Sequence, residues 1–359
     1  MYVKSLDLLN FRNYDAVSIQ LDPGINIFHG DNAQGKTNIL EAIYLGGTSK
    51  SHKGTKDRDM IKVGREESHI RMHVEKNLND YRIDMHLKKN RSKGIAIGGV
   101  PIRRASELFG IVNIVFFSPE DLNIIKNGPG ERRRFLDLIL CETDKIYMSD
   151  LMQYGKCLAQ RNKLLHDLYL QPYLESELSV WDEQLANIGG RIIDKRTEFI
   201  CTLSEIAAEI HGNLTGNKEK LSITYEPNTE SALFLEKLTR NRDTDRKMKT
   251  TTSGPHRDDL CIRANDMDLR IYGSQGQQRT AALSLKLSEI RLIEMRIHDH
   301  PILLLDDVLS ELDRDRQNYL LKSIKGTQTL ITCTGIDEFV ENNFVADKTF
   351  HVNEGSIDQ

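Results

Sequence analysis

Apolar residues recur at short, strand-like spacing through most of the first hundred positions. YVKSLDLLNF and VSIQL alternate or cluster them at strand length around the polar FRNYD, which predicts an opening strand pair. INIFHG then reads as a third strand running into a glycine-bounded loop. TNILEAIYLGG changes to helical spacing, with Ile39, Ala42, Ile43 and Leu45 on the buried side and Gly46-Gly47 expected to stop the helix. Residues 68–102 return to two-residue alternation broken by NLND, KKNRSKG and GG, the pattern of an antiparallel meander. IVNIVFF is a continuous apolar run, as in a strand covered on both faces. SPEDL follows, with Ser118 as a cap, Pro119 at the first helical position and two acidic residues, so a helix is expected to begin there.

From Glu131 to about His211 the pattern is helical and rich in leucine, interrupted at QPYLESE and at Gly189-Gly190. Strand-like segments return at LSITYEP and around DLCIRANDMDLRIYG. A helix carrying Leu283, Leu287 and Ile290 follows, and PILLLDD reads as a buried strand ending in two carboxylates. There is no internal repeat and no low-complexity stretch. The expected organisation is an α/β nucleotide domain in two parts, residues 1–117 with the phosphate loop and meander and residues 216–359 with the second motifs. A helical arm, residues 118–215, separates them.

Composition narrows the class. Hydrophobic residues at 39% and charged residues at 28% are ordinary for a globular chain. Cys141, Cys157, Cys201, Cys261 and Cys333 form no C-x-x-C pair and are odd in number, which argues against a disulfide framework or a zinc site and for a reducing cytoplasm. MYVKSLDLLNFRNYD has no apolar leader core, and no apolar run approaches a membrane span. The net charge of −4 hides an asymmetry. Lys50 to Arg104 carries 15 Lys+Arg against 7 Asp+Glu, which leaves −12 for the remainder. A local basic surface on an acidic chain suits a polyanion, although scattered cations also solvate loops.

Three elements carry chemistry. Gly30-Asp31-Asn32-Ala33-Gln34-Gly35-Lys36-Thr37 matches G-x-x-x-x-G-K-[ST] between a predicted strand and a predicted helix. Its backbone N–H groups would cradle phosphate at a helix N-terminus, Lys36 would reach the β and γ phosphates, and Thr37 would offer a hydroxyl to Mg²⁺. Roughly 265 residues later, Asp306 and Asp307 close the apolar strand ILLL, where α/β sheets bind ligands. Asp306 is placed to hold Mg²⁺, and Asp307 to orient or deprotonate an attacking water. YGSQGQQRT supplies the third, with Ser274, Gln275, Gly276 and Gln277 at a helix start, a second phosphate-binding terminus. One ATP does not need two such termini on opposite sides, so this one is expected to cap the γ phosphate of ATP bound to a second copy. Alone, the three also read as a glycine turn, a pair of helix-capping acids and a serine-capped turn.

Together they resemble the ATPase heads of the SMC, Rad50 and ABC superfamily. More narrowly, LNFRNY (9–14), FSPEDLNIIKNGPGERRRFLD (117–137), SGPHRDDL (253–260) and GSQGQQRT (273–280) resemble the RecF family of bacterial recombination-repair proteins. The resemblance implies an α/β ABC/SMC-type P-loop ATPase head with an antiparallel β subdomain and an inserted helical arm. It implies an ATP-dependent homodimer that binds duplex and gapped DNA, hydrolyses ATP slowly under stimulation by DNA, and helps load a RecA-type recombinase through RecR- and RecO-type partners. It also accounts for the split site, because in such heads an insertion separates the two halves. The sequence departs from the superfamily in two places. Asp307 stands where Glu is usual, and TLITCTG has Thr332 to Thr334 where a His is usual.

For DNA the candidates are Lys88, Lys89, Arg91 and Lys93 in a predicted turn, Arg103 with Arg104, and Arg132 to Arg134 at a helix start, each also readable as a solvated face. A tight row such as RRR spreads around a helix, so salt bridges within the arm are the alternative for some of its members. His69 and His73 lie four apart on a predicted strand without a third ligand, so a structural role is expected. Arg12 is placed to approach the nucleotide or to pair with an acidic neighbour. Two other readings remain: an ABC-type motor subunit acting with another, membrane-bound partner, and a small-molecule kinase. The insertion, SQGQ in place of LSGGQ and the basic meander weigh against the first. SQGQQ, which predicts dependence on pairing, weighs against the second.

Overall fold

The computed structural model describes residues 1–168, 171–335 and 346–358. In chain order the strands are β1 (Tyr2–Phe11), β2 (Tyr14–Gln20), β3 (Ile25–His29), β4 (Glu67–Lys76), β5 (Asn79–Lys88), β6 (Arg91–Ile97), β7 (Val100–Pro101) and β8 (Ile114–Phe117). They continue with β9 (Leu221–Glu226), β10 (Asp259–Ala264), β11 (Met267–Asp268), β12 (Ile302–Asp306), β13 (Thr329–Cys333), β14 (Lys348–Asn353) and β15 (Ser356–Asp358). The chain divides into two compact units, Met1–Asp121 with Glu289–Gln359, and Leu122–Ser288. Residues 216–288, expected with the nucleotide domain, therefore pack in the helical unit.

In the first unit two six-stranded sheets share one core. One has the order β15-β14-β3-β13-β12-β8, parallel from β14 to β8. The other is the antiparallel β2-β1-β4-β5-β6-β7, the meander that the alternation predicts. Leu8, Ile70, Met72, Met85 and Leu87 of the meander, and Leu304, Leu330 and Phe350 of the parallel sheet, belong to one buried cluster with the helix Lys36–Thr48. That helix is enclosed by both sheets, and Ile39, Leu40, Ile43 and Leu45 are fully buried. Each contributes roughly 1.5–3 kcal/mol of apolar burial. The helix does not stop at Gly46-Gly47. It runs to Thr48, because the two glycines are where strands come closest: a Cβ at Gly46 would lie 2.9 Å from Met72, and one at Gly47 2.5 Å from Ile114.

The second unit is built on the helices Pro129–Thr143, Lys145–Asp167 and Glu177–Thr215, with the small sheet β11-β10-β9. Gly189-Gly190 is not a break either. It lies inside a continuous 39-residue helix, where Gly189 admits the rings of Phe234 and Tyr154. The helix expected at SPEDL is a single 3₁₀ turn, Pro119–Leu122, followed by one α-turn. Buried ion pairs hold the unit. Arg161 reaches Asp182 and Asp245, each at 2.7 Å, and Arg196 reaches Asp137 at 2.8 Å and Asp258 at 3.0 Å. Asp258 also accepts from the Tyr225 hydroxyl and the Asn228 N–H, so SGPHRDDL is the knot of this network.

Candidate nucleotide site and signature turn

β3 ends at His29 and delivers the chain into Gly30–Thr37. Ala33 at φ 65° and Gly35 at φ 117° turn successive N–H groups to one side, the geometry of an anion nest. Gly35 is required twice over, since a Cβ there would also meet Asn13 Nδ2 at 2.5 Å and the Tyr14 hydroxyl at 2.9 Å. These two residues of LNFRNY hold the loop from outside. Asn13 Nδ2 donates to the Gln34 carbonyl at 2.7 Å, and the Tyr14 hydroxyl donates to the Gly35 carbonyl at 3.1 Å. From the β14–β15 turn, the Glu354 N–H donates to Gln34 Oε1 at 2.6 Å.

Arg12 takes the acidic neighbour. Its guanidinium forms a two-pronged pair with Glu41, Nε to Oε2 at 2.7 Å and Nη2 to Oε1 at 2.9 Å, while the Ser51 hydroxyl donates to the same carboxylate at 2.8 Å. Burial pushes the Glu41 carboxyl up, but Arg12 and Ser51 outweigh it and leave the group below the usual carboxylate range. Nearby, His52 stacks on Phe116 with centroids 4.0 Å apart, and burial draws its pKa down to about 4.

Lys36 is 8% exposed and folds back on the loop, its Nζ donating to the carbonyls of Gly30 at 2.6 Å and Asp31 at 2.7 Å. Thr37 and Asp306, 269 residues apart, meet: the hydroxyl donates to Asp306 Oδ1 at 2.8 Å. The sheet order explains the meeting, because β13 alone separates β3 from β12. From β13, Thr332 joins both carboxylate residues. Its hydroxyl donates to Asp306 Oδ1 at 2.8 Å and accepts the Asp307 N–H at 3.0 Å. Asp307 is exposed and left-handed at φ 55°, lifted off the strand that buries Asp306. Sequence reasoning noted Thr332 only as a missing histidine; its signal was a hydroxyl near the C-terminal end of the strand TLITC.

In the second unit Ser274 caps the helix Gln275–Ile297 reciprocally. The Ser274 N–H donates to Gln277 Oε1 at 2.9 Å, and the Gln277 N–H donates to the Ser274 hydroxyl at 3.3 Å. Gln277 Nε2 donates to Glu219 at 2.9 Å. Ser274, Gln275 and Gly276 are exposed, as are Ile271 at 62% and Tyr272 at 70% just before them.

The basic candidates separate into free and committed. Arg132 is 2% exposed and pairs with Asp259 at 2.6 Å, and Arg133 donates to the Asp258 carbonyl. Lys93 donates to the Ser49 carbonyl and pairs with Asp57 at 3.0 Å, and Lys89 pairs with Glu66 at 3.1 Å. Arg91, Arg103 and Arg104 are exposed.

A parallel sheet whose phosphate-loop strand and acidic strand flank a third, an antiparallel sheet over the loop's helix, and a helical insertion between the motifs define an ABC/SMC-type P-loop ATPase head. The Smc head domain of Pyrococcus furiosus superposes with a TM-score of 0.58 over 99% of this chain and 95% of that one, at 18% identity, a likeness of fold. The profile of the RecF/RecN/SMC N-terminal domain family matches residues 2–357. The DNA replication and repair protein RecF of Agathobacter rectalis is 59% identical over 100% of this chain and 99% of its own length, and that of Lachnoclostridium phytofermentans is 54% identical over the whole of both. The solved structure of the recombination mediator protein RecF-ATP in the RecFOR pathway covers 99% of this chain and 97% of its own, with a TM-score of 0.93 at 37% identity. The chain belongs to the RecF family. Among its described residues no helix is long and apolar enough to cross a membrane.

Proposed function

We propose that this protein is a cytoplasmic, ATP-dependent DNA repair and recombination protein: a clamp that pairs two copies around ATP, binds duplex or gapped DNA, and hydrolyses ATP slowly with stimulation by DNA. The observation that carries the reading is the convergence of Thr37 and Asp306 at 2.8 Å beneath a phosphate loop, in a chain whose Ser274-capped turn is exposed. Gly30 to Thr37 would bind the phosphates, with Lys36 leaving the Gly30 and Asp31 carbonyls for phosphate oxygens. Thr37 and Asp306 are hard oxygen donors a hydrogen bond apart, a set that fits Mg²⁺. Bound there, the ion would neutralise charge building on the β and γ phosphates.

Asp307 is the candidate to orient or deprotonate the attacking water. It is one methylene shorter than Glu, so the water must come closer, which suits slow turnover and a switch rather than a pump. Ser274, Gln275, Gly276 and Gln277 would complete the partner's site, and the exposed Ile271 and Tyr272 offer apolar surface for that contact. Loading of a RecA-type recombinase at single-strand gaps, through a RecR-type mediator and indirectly RecO, is the family role this reading adopts. The second reading, an ABC-type motor subunit acting with another partner, shares the site and differs in what stimulates it. The test is sedimentation equilibrium of Asp307→Asn with and without Mg-ATP and a short duplex. A dimer that forms only with ATP and binds DNA more tightly supports the clamp; a monomer under every condition sinks it.

A further inference from the structure

The outer face of the antiparallel sheet carries a histidine pair that spacing along the sequence does not reveal. His69 on β4 lies directly opposite His86 on β5, with rings stacked at a centroid distance of 4.0 Å and an interplanar angle of 22°. Glu67, two residues before His69 and so on the same face, places Oε2 2.7 Å from His86 Nε2 and Oε1 4.0 Å from His69 Nε2. One donor atom from each of the three lies within 4.8 Å of the others. His73, the partner that sequence spacing suggested, stands opposite Arg82 instead.

The strands under these donors present a buried inner face. The intervening Ser68, Ile70, Met85 and Leu87 point inward and are buried. On the flanks, His69 faces Leu9 of β1, and His86 faces Gly94 of β6, which has no side chain to cover it. The cations on these two strands nearest in register are Lys88, opposite Glu67, and Arg71, already bound to Asp84 at 2.6 Å.

Two imidazoles and a carboxylate suit a borderline dication such as Zn²⁺ rather than Mg²⁺, which prefers an all-oxygen shell. Tetrahedral bonds of about 2.0–2.1 Å place donors roughly 3.3 Å apart. With one donor atom taken from each residue, all separations are within 4.8 Å, so side-chain rotations that draw the three donors together would be needed to reach that value. We infer that Glu67, His69 and His86 form a binding site for a transition-metal dication of the Zn²⁺ class, with a fourth coordination position open to solvent. Bound there, the ion ties β4 to β5 and stabilises the folded chain by linkage.

The test is calorimetric titration of the full chain with ZnCl₂, beside His69→Gln, His86→Gln and a Cys201→Ser control, with Co²⁺ absorption spectra of each. Expected are a zinc uptake that weakens at least tenfold in either histidine variant and persists in Cys201→Ser, visible cobalt bands without thiolate charge transfer, and a zinc-dependent rise in melting temperature confined to chains with both histidines. Equal zinc uptake by the parent and both histidine variants, loss of binding in Cys201→Ser, thiolate bands, or no uptake by the parent would each overturn the site.

Discussion

Thr332 is a single hydroxyl on which two neighbouring carboxylate residues depend. It donates to Asp306 and accepts from the Asp307 backbone, so on the proposed reading it sets where the group for Mg²⁺ and the group for the attacking water would stand relative to each other. Thr332→Val keeps the shape and removes both hydrogen bonds. ATP hydrolysis should fall about tenfold while nucleotide affinity stays within about twofold, and Thr332→Ser should restore the rate. Single-turnover hydrolysis beside a nucleotide titration checks this; parent-like turnover in the valine variant would leave Thr332 a purely structural residue. His52 makes a second residue-level prediction. Its pKa is drawn from 6.5 to about 4 by burial, so the unfolded chain takes up a proton below pH 6.5 that the folded chain refuses. The stability His52 lends is therefore whole above pH 6.5 and declines as pH falls towards 4. His52→Phe should flatten that part of the curve of melting temperature against pH, and an unchanged slope would show that other groups set it.

At the scale of elements, the helical unit depends on charges that water does not reach. Arg161, with no exposed surface, bridges Asp182 and Asp245, which are equally buried. Arg161→Met leaves Asp245 without its arginine and Asp182 with Arg242 alone, and should cost about 3–5 kcal/mol, read as a lower urea midpoint. Arg161→Lys should rescue little, since an ammonium does not offer the planar fork that spans both acids. A methionine variant as stable as the parent would mean that solvent and the Thr252 hydrogen bonds suffice for Asp245. No sequence spacing advertises this network, because its members lie 21 and 84 residues apart. The phosphate loop, the strand before Asp306 and the meander were legible for the opposite reason: their chemistry or periodicity is local. Gly46-Gly47 and Gly189 misled because a glycine can be selected by a neighbour's approach as well as by a turn, and only the packed structure tells which. RRR left two readings open, phosphate contact or ion pairs within the protein, and Arg132 takes the second, on Asp259.

For the whole molecule the question that the proposed function raises is how an acidic chain would hold DNA. The cations between Lys50 and Arg104 are partly neutralised at short range, as Lys93 on Asp57 and Lys89 on Glu66 illustrate, so one copy presents a weaker field than its count of cations implies. On the clamp reading, affinity then comes from two copies held together by nucleotide, and complementation tests that directly. Lys36→Ala should lose ATP binding yet keep an intact signature turn; Ser274→Arg should bind ATP yet present a blocked turn. Each alone should be inactive. Mixed in equal amounts they should recover about a quarter of parent turnover where pairing is random, and up to about half where only mixed pairs form, because each mixed pair holds one complete site of two. The same mixture should bind a short duplex more tightly with ATP than without, with a steeper dependence on salt than either variant alone, since more phosphates are contacted. A mixture that stays inactive while Ser274→Arg alone turns over normally would place the signature turn outside the reaction, and the motor reading, with a different partner completing the site, would take the clamp's place.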